Sequence, residues 1–158
     1  LIDRGEEYDK WIIKIIRQIR QITSKKIRVR LHPRFQDRFN KDILVQENVE
    51  ISENYAGWNK TNGGQSLYDD LQKAWCCVTF SSNAATEAVC EGVPVINLDN
   101  SSFSFPVSYH TLDVLNEVNL RCDFDRTQWL HDCAYTQWTL NEINSGIVHK
   151  RLLDGYRA

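Results

Sequence analysis

The chain has 158 residues, a length that fits one domain and leaves little room for two. Hydrophobic residues make up 42% and charged residues 25%, which is typical of a globular protein and excludes a disordered or fibrous one. The formal net charge of −2 excludes strong nonspecific binding to nucleic acid. No apolar run approaches the roughly 18 residues of a membrane-spanning helix, and no signal peptide opens the chain. We therefore expect a cytoplasmic protein.

The start of the chain, its cysteines and the spacing of its possible metal ligands add three expectations. The chain has no methionine and begins at Leu1, which favours a fragment of a longer protein. Its five cysteines are odd in number, and none of them forms a C-x-x-C motif, so buried free thiols are predicted instead of disulfides. No cluster of His, Cys and carboxylate residues has the spacing of metal ligands, so no metal is predicted.

The first third of the chain predicts one long helix and two strands. Apolar residues at steps of three and four predict an amphipathic helix over 6–23. The alternating stretch 26–31 predicts a strand, which ends at His32-Pro33 because proline cannot donate to a central ladder. Residues 34–48 are predicted to be irregular, and 49–52 to form a second, short strand.

A polar loop over 59–65 leads into the middle of the chain. Ser66 and Asp69 have the form of a capping box, which predicts a helix that turns Leu67, Leu71, Ala74 and Trp75 inward. The apolar run 76–80 is typical of a strand that is covered on both faces. A helix over 84–91, ended by Gly92, and a strand over 93–98 follow.

Beyond residue 100 the pattern predicts a loop over 101–108, a helix over 110–117 and two helices within 126–144. The order strand, helix, strand, helix, strand predicts the α/β class. The specific expectation is a single domain, 1–158, with a three-layer, Rossmann-like parallel sheet flanked by helices.

The sequence Ser81-Ser82-Asn83 is the first candidate for ligand binding, since ligands of parallel sheets bind beyond the carboxyl ends of strands. Its hydroxyls and the first N–H groups of the following helix point the same way, as they do where a helix N-terminus receives a phosphate. Small residues follow, so that an anion can come close. The alternative is that Ser82 or Asn83 only caps the helix.

Two further groups join this candidate site. Glu87 lies one helical turn after Asn83 and can accept the hydroxyls of a ribose, or it is simply a solvated helix residue. His32 follows the first strand and can donate a hydrogen bond to phosphate, with Arg30 and Arg34 beside it for bidentate contacts. The alternative for His32 is a histidine in a surface turn.

Three stretches resemble a known family, the GT-B glycosyltransferases: Arg30-Leu31-His32-Pro33-Arg34, residues 66–71 and residues 81–96. They are similar to the C-terminal half of these enzymes, and most similar to the capsular-polysaccharide type, which includes bacterial Kdo and sialic acid transferases. The segment 138–146 also resembles the tail of bacterial and phage proteins of this type. The resemblance covers about 25–146.

The resemblance implies that His32, Ser81 and Ser82 hold the phosphate of the donor nucleotide and that Glu87 touches its ribose. The His-Pro element favours a CMP-sugar, with a UDP-sugar as the other possibility. It also implies that protein groups, without a metal, stabilise the charge that develops on the leaving phosphate.

The resemblance further implies a missing N-terminal domain, which normally supplies the general base, and a glycan acceptor from surface or capsular polysaccharide. Asp69, Asp70, Asp99 and Glu87 are therefore not assigned as catalytic base, and no catalytic residue is named. The isolated chain is expected to be inactive. Peripheral contact with a membrane is an expectation for the full-length protein only.

Two alternatives stay open. The same fold serves CDP-alditol phosphotransferases of the teichoic-acid type and UDP-sugar 2-epimerases, although the epimerases usually carry a Gly-rich acidic sequence where this chain has Ser82-Asn83-Ala84-Ala85. A non-enzymatic, flavodoxin-like binding module is the other alternative. Exposed aromatic residues would favour it, and the candidates are Trp58, Trp129 and Trp138.

Overall fold

The computed structural model describes residues 5–32, 39, 41–52 and 66–156. The chain divides into two compact units, Leu1–Cys122 and Asp123–Ala158. The first unit combines helices with short parallel strands, and the described part of the second consists of helices. The α/β class predicted from the sequence is therefore confirmed.

Helix α1 (Gly5–Ile22) confirms the amphipathic helix predicted over 6–23. Its buried residues Ile12, Ile16 and Ile19 follow the steps of three and four that place side chains on one face. Ile12 and Ile16 pack in one core cluster, and Ile19 packs in a second. Ile27, partly buried, packs against both clusters, so α1 and the start of the first strand join the two cores.

The described strands pair as two parallel ladders. Strand β1 (Arg28–Val29) pairs with β2 (Glu50–Ile51), and β3 (Cys77–Thr79) pairs with β4 (Val95–Asn97). All four lie inside predicted strands but are shorter than predicted. Within the described ranges the two pairs are separate two-stranded sheets. The sequence therefore predicts where the strands occur, and the described ladders establish the parallel pairing.

Helix α4 (Asn83–Cys90) confirms its prediction, whereas α3 (Leu67–Leu71) confirms only the start of the helix predicted after Ser66. Ala74 and Trp75, which were predicted to lie on that helix, follow its end. Ser66 and Asp69 form both halves of the predicted capping box. At the end of α4, the Gly92 N–H bonds to the Val89 carbonyl and the Val93 N–H to the Ala88 carbonyl. This Schellman pattern needs a left-handed residue, and Gly92 supplies it with φ +77°.

In the first unit one prediction is wrong, and another is confirmed only in part. Helix α2 (Lys41–Gln46) lies within 34–48, which was predicted to be irregular. Its six residues are too few for a periodic signal, and burial of Leu44 at 0% exposure in the core stabilises it instead. The helix predicted over 110–117 is a 3₁₀ helix, Leu112–Asn116, and a further 3₁₀ turn, Phe105–Val107, lies inside the predicted loop.

The second unit contains α5 (Thr127–Thr136) and α6 (Leu140–Asn144), which confirm the two helices predicted within 126–144. A third helix, α7 (Ile147–Tyr156), was not predicted. Thr139 and Glu142 form a capping box at the start of α6, and Gly146, with φ +79°, separates it from α7. Trp129 is buried on α5, which does not favour it as part of an exposed aromatic surface.

The cysteines and the lengths of the helices can also be compared with the predictions from the sequence. None of the five cysteines forms a disulfide, as predicted. Cys133 is buried, whereas Cys90 is exposed and contradicts the prediction of uniform burial. Burial raises the pKa of Cys76 to about 11 and that of Cys77 to about 12. In the part of the chain that the structure describes, no helix has both the length and the apolar character needed to cross a membrane.

Candidate anion-binding site

The turn between β3 and α4 carries the exposed polar groups Ser81, Ser82 and Asn83. Ser82 is extended, with φ −91° and ψ 143°, and its hydroxyl accepts a hydrogen bond from the Ala84 N–H at 3.2 Å. Ser82 is therefore the N-cap of α4, as the capping alternative predicts. Asn83 is the first residue of the helix, and Ser81 has no hydrogen-bonding partner among the described residues.

The start of α4 offers an anion two kinds of attraction. The helix dipole places partial positive charge at this end, and the hydroxyl of Ser81 is exposed beside it. Since Ser82 already accepts the Ala84 N–H, Ser81 and the remaining amide groups of the first turn are the groups left to a ligand. Glu87 is exposed on the same helix, one turn after Asn83, where the sequence placed it.

The segments that follow β1 and β3 both contact α1. The backbone N–H of His32 donates to the Tyr8 hydroxyl at 3.4 Å. The ring of Phe80, the residue before Ser81, packs edge-on against Trp11 with the ring centroids 5.6 Å apart. Tyr8 and Trp11 are one turn apart on α1, so both strand ends lie against neighbouring positions of one helix face.

Arg30 has a partner inside the protein. Its Nη1 donates to Asp70 Oδ2 at 2.7 Å and to Ser52 Oγ at 3.1 Å. Arg28 donates to the other oxygen of Asp70 at 2.9 Å and pairs with Glu50 as well. A phosphate would compete with Asp70 for Arg30. Arg34 and Pro33, which the sequence analysis placed beside His32, lie outside the described residues.

Asp70 has a role that sequence reasoning missed. Asp69 acts in the predicted capping box, whereas Asp70 links α3 to β1 and to the end of β2. Burial disfavours the ionised form of Asp70, yet hydrogen bonds from Ser52, Arg30 and Arg28 outweigh it, and the pKa of this carboxyl lies below its ordinary value.

A neutral network lies at the carboxyl ends of β3 and β4. Asn97, at 0% exposure, accepts from the Thr79 hydroxyl at 3.0 Å and donates to Ser104 at 3.0 Å and Ser108 at 2.9 Å. The Ser102 and Ser104 hydroxyls lie 3.2 Å apart. A signal was available in the sequence: an asparagine that ends an apolar strand, followed by a segment rich in serine. Buried polar groups of this kind are normally hydrogen-bonded.

In the described ranges, no group of three or more His, Cys, Asp and Glu side chains is placed to hold a metal ion. Searches of protein-family models, curated proteins and solved structures found no match to this chain. The site is therefore defined by its own residues: an exposed imidazole after β1 and two exposed hydroxyls after β3.

Proposed function

We propose that the chain binds the nucleotide of a nucleotide-sugar and is the donor-binding half of a glycosyltransferase that makes surface or capsular polysaccharide. The observation that supports it most is the position of the two strand ends. His32 and the Ser81–Ser82 turn follow strands that contact α1 one turn apart, through Tyr8 and Trp11. In this proposal the two ladders belong to one three-layer, Rossmann-like sheet, and the protein is cytoplasmic.

The chemistry of the donor phosphate suits these groups. The Ser81 hydroxyl donates to a phosphate oxygen, the dipole of α4 attracts its charge, and His32 donates a further hydrogen bond or, when protonated, a full charge. Glu87 accepts the hydroxyls of the ribose. Such donors stabilise a leaving phosphate without a metal, because they are already oriented before charge develops.

Arg30 has a supporting role in this proposal. Because its guanidinium is bonded to Asp70 and Ser52, Arg30 links the segment after β1 to α3 and to the end of β2. Direct contact with phosphate would require Arg30 to leave Asp70, a partly buried carboxylate that it shares with Arg28. His32 and Ser81 are therefore the residues that we propose contact the donor.

The cytidine nucleotide is the favoured donor, and the acceptor site and general base belong in the proposal to a second, N-terminal domain. A half-site of this kind binds weakly, so we expect a dissociation constant of about 1 mM for CMP. The chain, labelled with ¹⁵N, is titrated with CMP, CDP and UDP and followed by its amide NMR signals. CMP binding that is at least as tight as UDP binding is the expected result.

Matched variants connect binding to the site. Ser81→Ala and His32→Ala should each weaken CMP binding about fivefold or more, as expected for a lost hydrogen bond to a charged group. Ser24→Ala and His149→Ala change exposed residues of the same types elsewhere and should leave it unchanged. Equal affinity in all four variants, or no binding by the unaltered chain, rules the proposal out.

A further inference from the structure

The segment 99–108 leaves the sheet beside the Ser81–Ser82 turn. Strands β3 and β4 are parallel, and Thr79 pairs with Asn97 as the last residue of each. The Leu98 N–H then donates to the Thr79 carbonyl at 3.0 Å. Carboxyl ends of neighbouring parallel strands lie at one edge of a sheet, so the two segments begin side by side.

Phe103 is the large apolar residue that this segment presents to solvent. Its neighbours Ser102 and Ser104 are 6% and 0% exposed, whereas Phe103 is 51% exposed. Ser104 accepts a hydrogen bond from Asn97, and Ser102 lies within hydrogen-bonding distance of Ser104. The serines on both sides of Phe103 are thus held by buried hydrogen bonds, while the side chain of Phe103 is half exposed.

Hydrogen bonds also hold the start and the end of the segment 99–108. Asp99 accepts hydrogen bonds from the backbone N–H of Ser101 at 2.8 Å and from the Ser101 hydroxyl. At its end, the Ser108 hydroxyl donates to the Phe105 carbonyl at 3.0 Å and also accepts from Asn97. Because this segment is already ordered, a ligand that covers Phe103 does not have to order the loop as well.

We propose that Phe103 is a stacking surface for a ring of the ligand held at the Ser81–Ser82 turn, and this inference rests on the function proposed above. A nucleotide-sugar has two rings with an apolar face, its base and its sugar. An aromatic side chain packs against either, because each ring buries apolar area without needing a hydrogen bond. The serine turn then recognises the phosphate, and Phe103 recognises the ring attached to it.

The test follows the ligand's own proton signals with CMP and with a CMP-sugar. Stacking on Phe103 shifts protons that lie over the ring upfield: the base protons H5 and H6 if the base is the partner, and the sugar-ring protons of the CMP-sugar if the sugar is. Phe103→Ala should abolish the shift and weaken binding about fivefold or more, whereas Phe103→Tyr should retain both. Tyr135→Ala removes a ring of similar exposure, 62%, and should change neither.

The outcomes separate this inference from the proposed function. Upfield shifts that disappear in Phe103→Ala support it, for the base or for the sugar according to which protons move. Unchanged affinity and shifts in Phe103→Ala, together with weakened binding in Ser81→Ala, overturn the role of Phe103 and leave the phosphate site in place. No binding of either ligand by the unaltered chain overturns both.

Discussion

Two polar clusters hold the carboxyl ends of the two strand pairs, and they differ in chemistry. At β1 and β2, the Asp70 carboxylate, 11% exposed in its side chain, gathers Arg28, Arg30 and Ser52. At β3 and β4, the fully buried amide of Asn97 gathers three hydroxyls. The charged cluster responds to pH and salt, because its strength depends on ionisation, whereas the neutral one does not. The cluster around Asp70, which is the more exposed of the two, is therefore also the one whose stability changes with pH and salt.

Removal of the Asn97 amide should give the largest effect. Asn97→Ala leaves the buried hydroxyls of Thr79, Ser104 and Ser108 without this partner and opens space in the core, so we expect a loss of about 3 kcal/mol in the free energy of unfolding. Urea denaturation measures it. Asn100→Ala, an exposed asparagine three residues on, should change stability by less than about 0.5 kcal/mol. A loss as small in Asn97→Ala would mean that the network contributes little.

Removal of the Asp70 charge should cost less, about 2 kcal/mol at neutral pH, because hydrogen bonds to charged groups are lost from a partly exposed site. The folded pKa of Asp70 is lowered, so its contribution is full above the ordinary carboxyl value of about 4 and is lost as pH falls through the folded pKa. The stability difference between the unaltered chain and Asp70→Asn should accordingly shrink in acid.

Denaturant midpoints from pH 7 down to pH 2 check this second comparison. Asp113→Asn, at an exposed carboxyl, is the control and should follow the unaltered chain at neutral pH within about 0.5 kcal/mol. A difference between the unaltered chain and Asp70→Asn that stays constant across the range would contradict the ionic role of Asp70.

The smallest effect is expected at the serine turn. Ser82→Ala removes the N-cap of α4 and should cost about 1 kcal/mol, whereas Ser81→Ala should cost close to nothing, because Ser81 bonds to none of the described residues. Thr139→Ala removes a cap of the same kind at α6 and calibrates the loss. Thermal unfolding of the three variants orders them, and an equal loss in Ser81→Ala and Ser82→Ala would show that the cap is assigned to the wrong residue.

Local sequence signals were enough for most of the fold. Helix α1 runs for five turns with an unbroken apolar face, and the capping box at Ser66 and the glycine after α4 mark helix ends within a few residues. Helix α2 was not predicted, because six residues are too few for a helical period and its stability comes from the burial of Leu44. The strands were predicted too long because their alternating or apolar patterns continue past the paired residues of each ladder.

The candidate site was predictable only in part, since its polar partners lie far apart in the chain. The role of Ser82 as a cap follows from its position before a helix, and that was foreseen. The pairing of Asp70 with Arg30 spans 40 residues, and that of Thr79 with Asn97 spans 18. No local pattern encodes such pairs; they arise from the packing of β1 against α3 and from the register of β3 and β4.

The central claim is that the end of β1 and the serine turn bind the same phosphate, and the CMP titration tests it most directly when it is read residue by residue. The amide signals of His32 and of Ser81 to Ala84 should all shift, and each should fit one common dissociation constant. Shifts confined to one of these two segments, or two different constants, would contradict the claim.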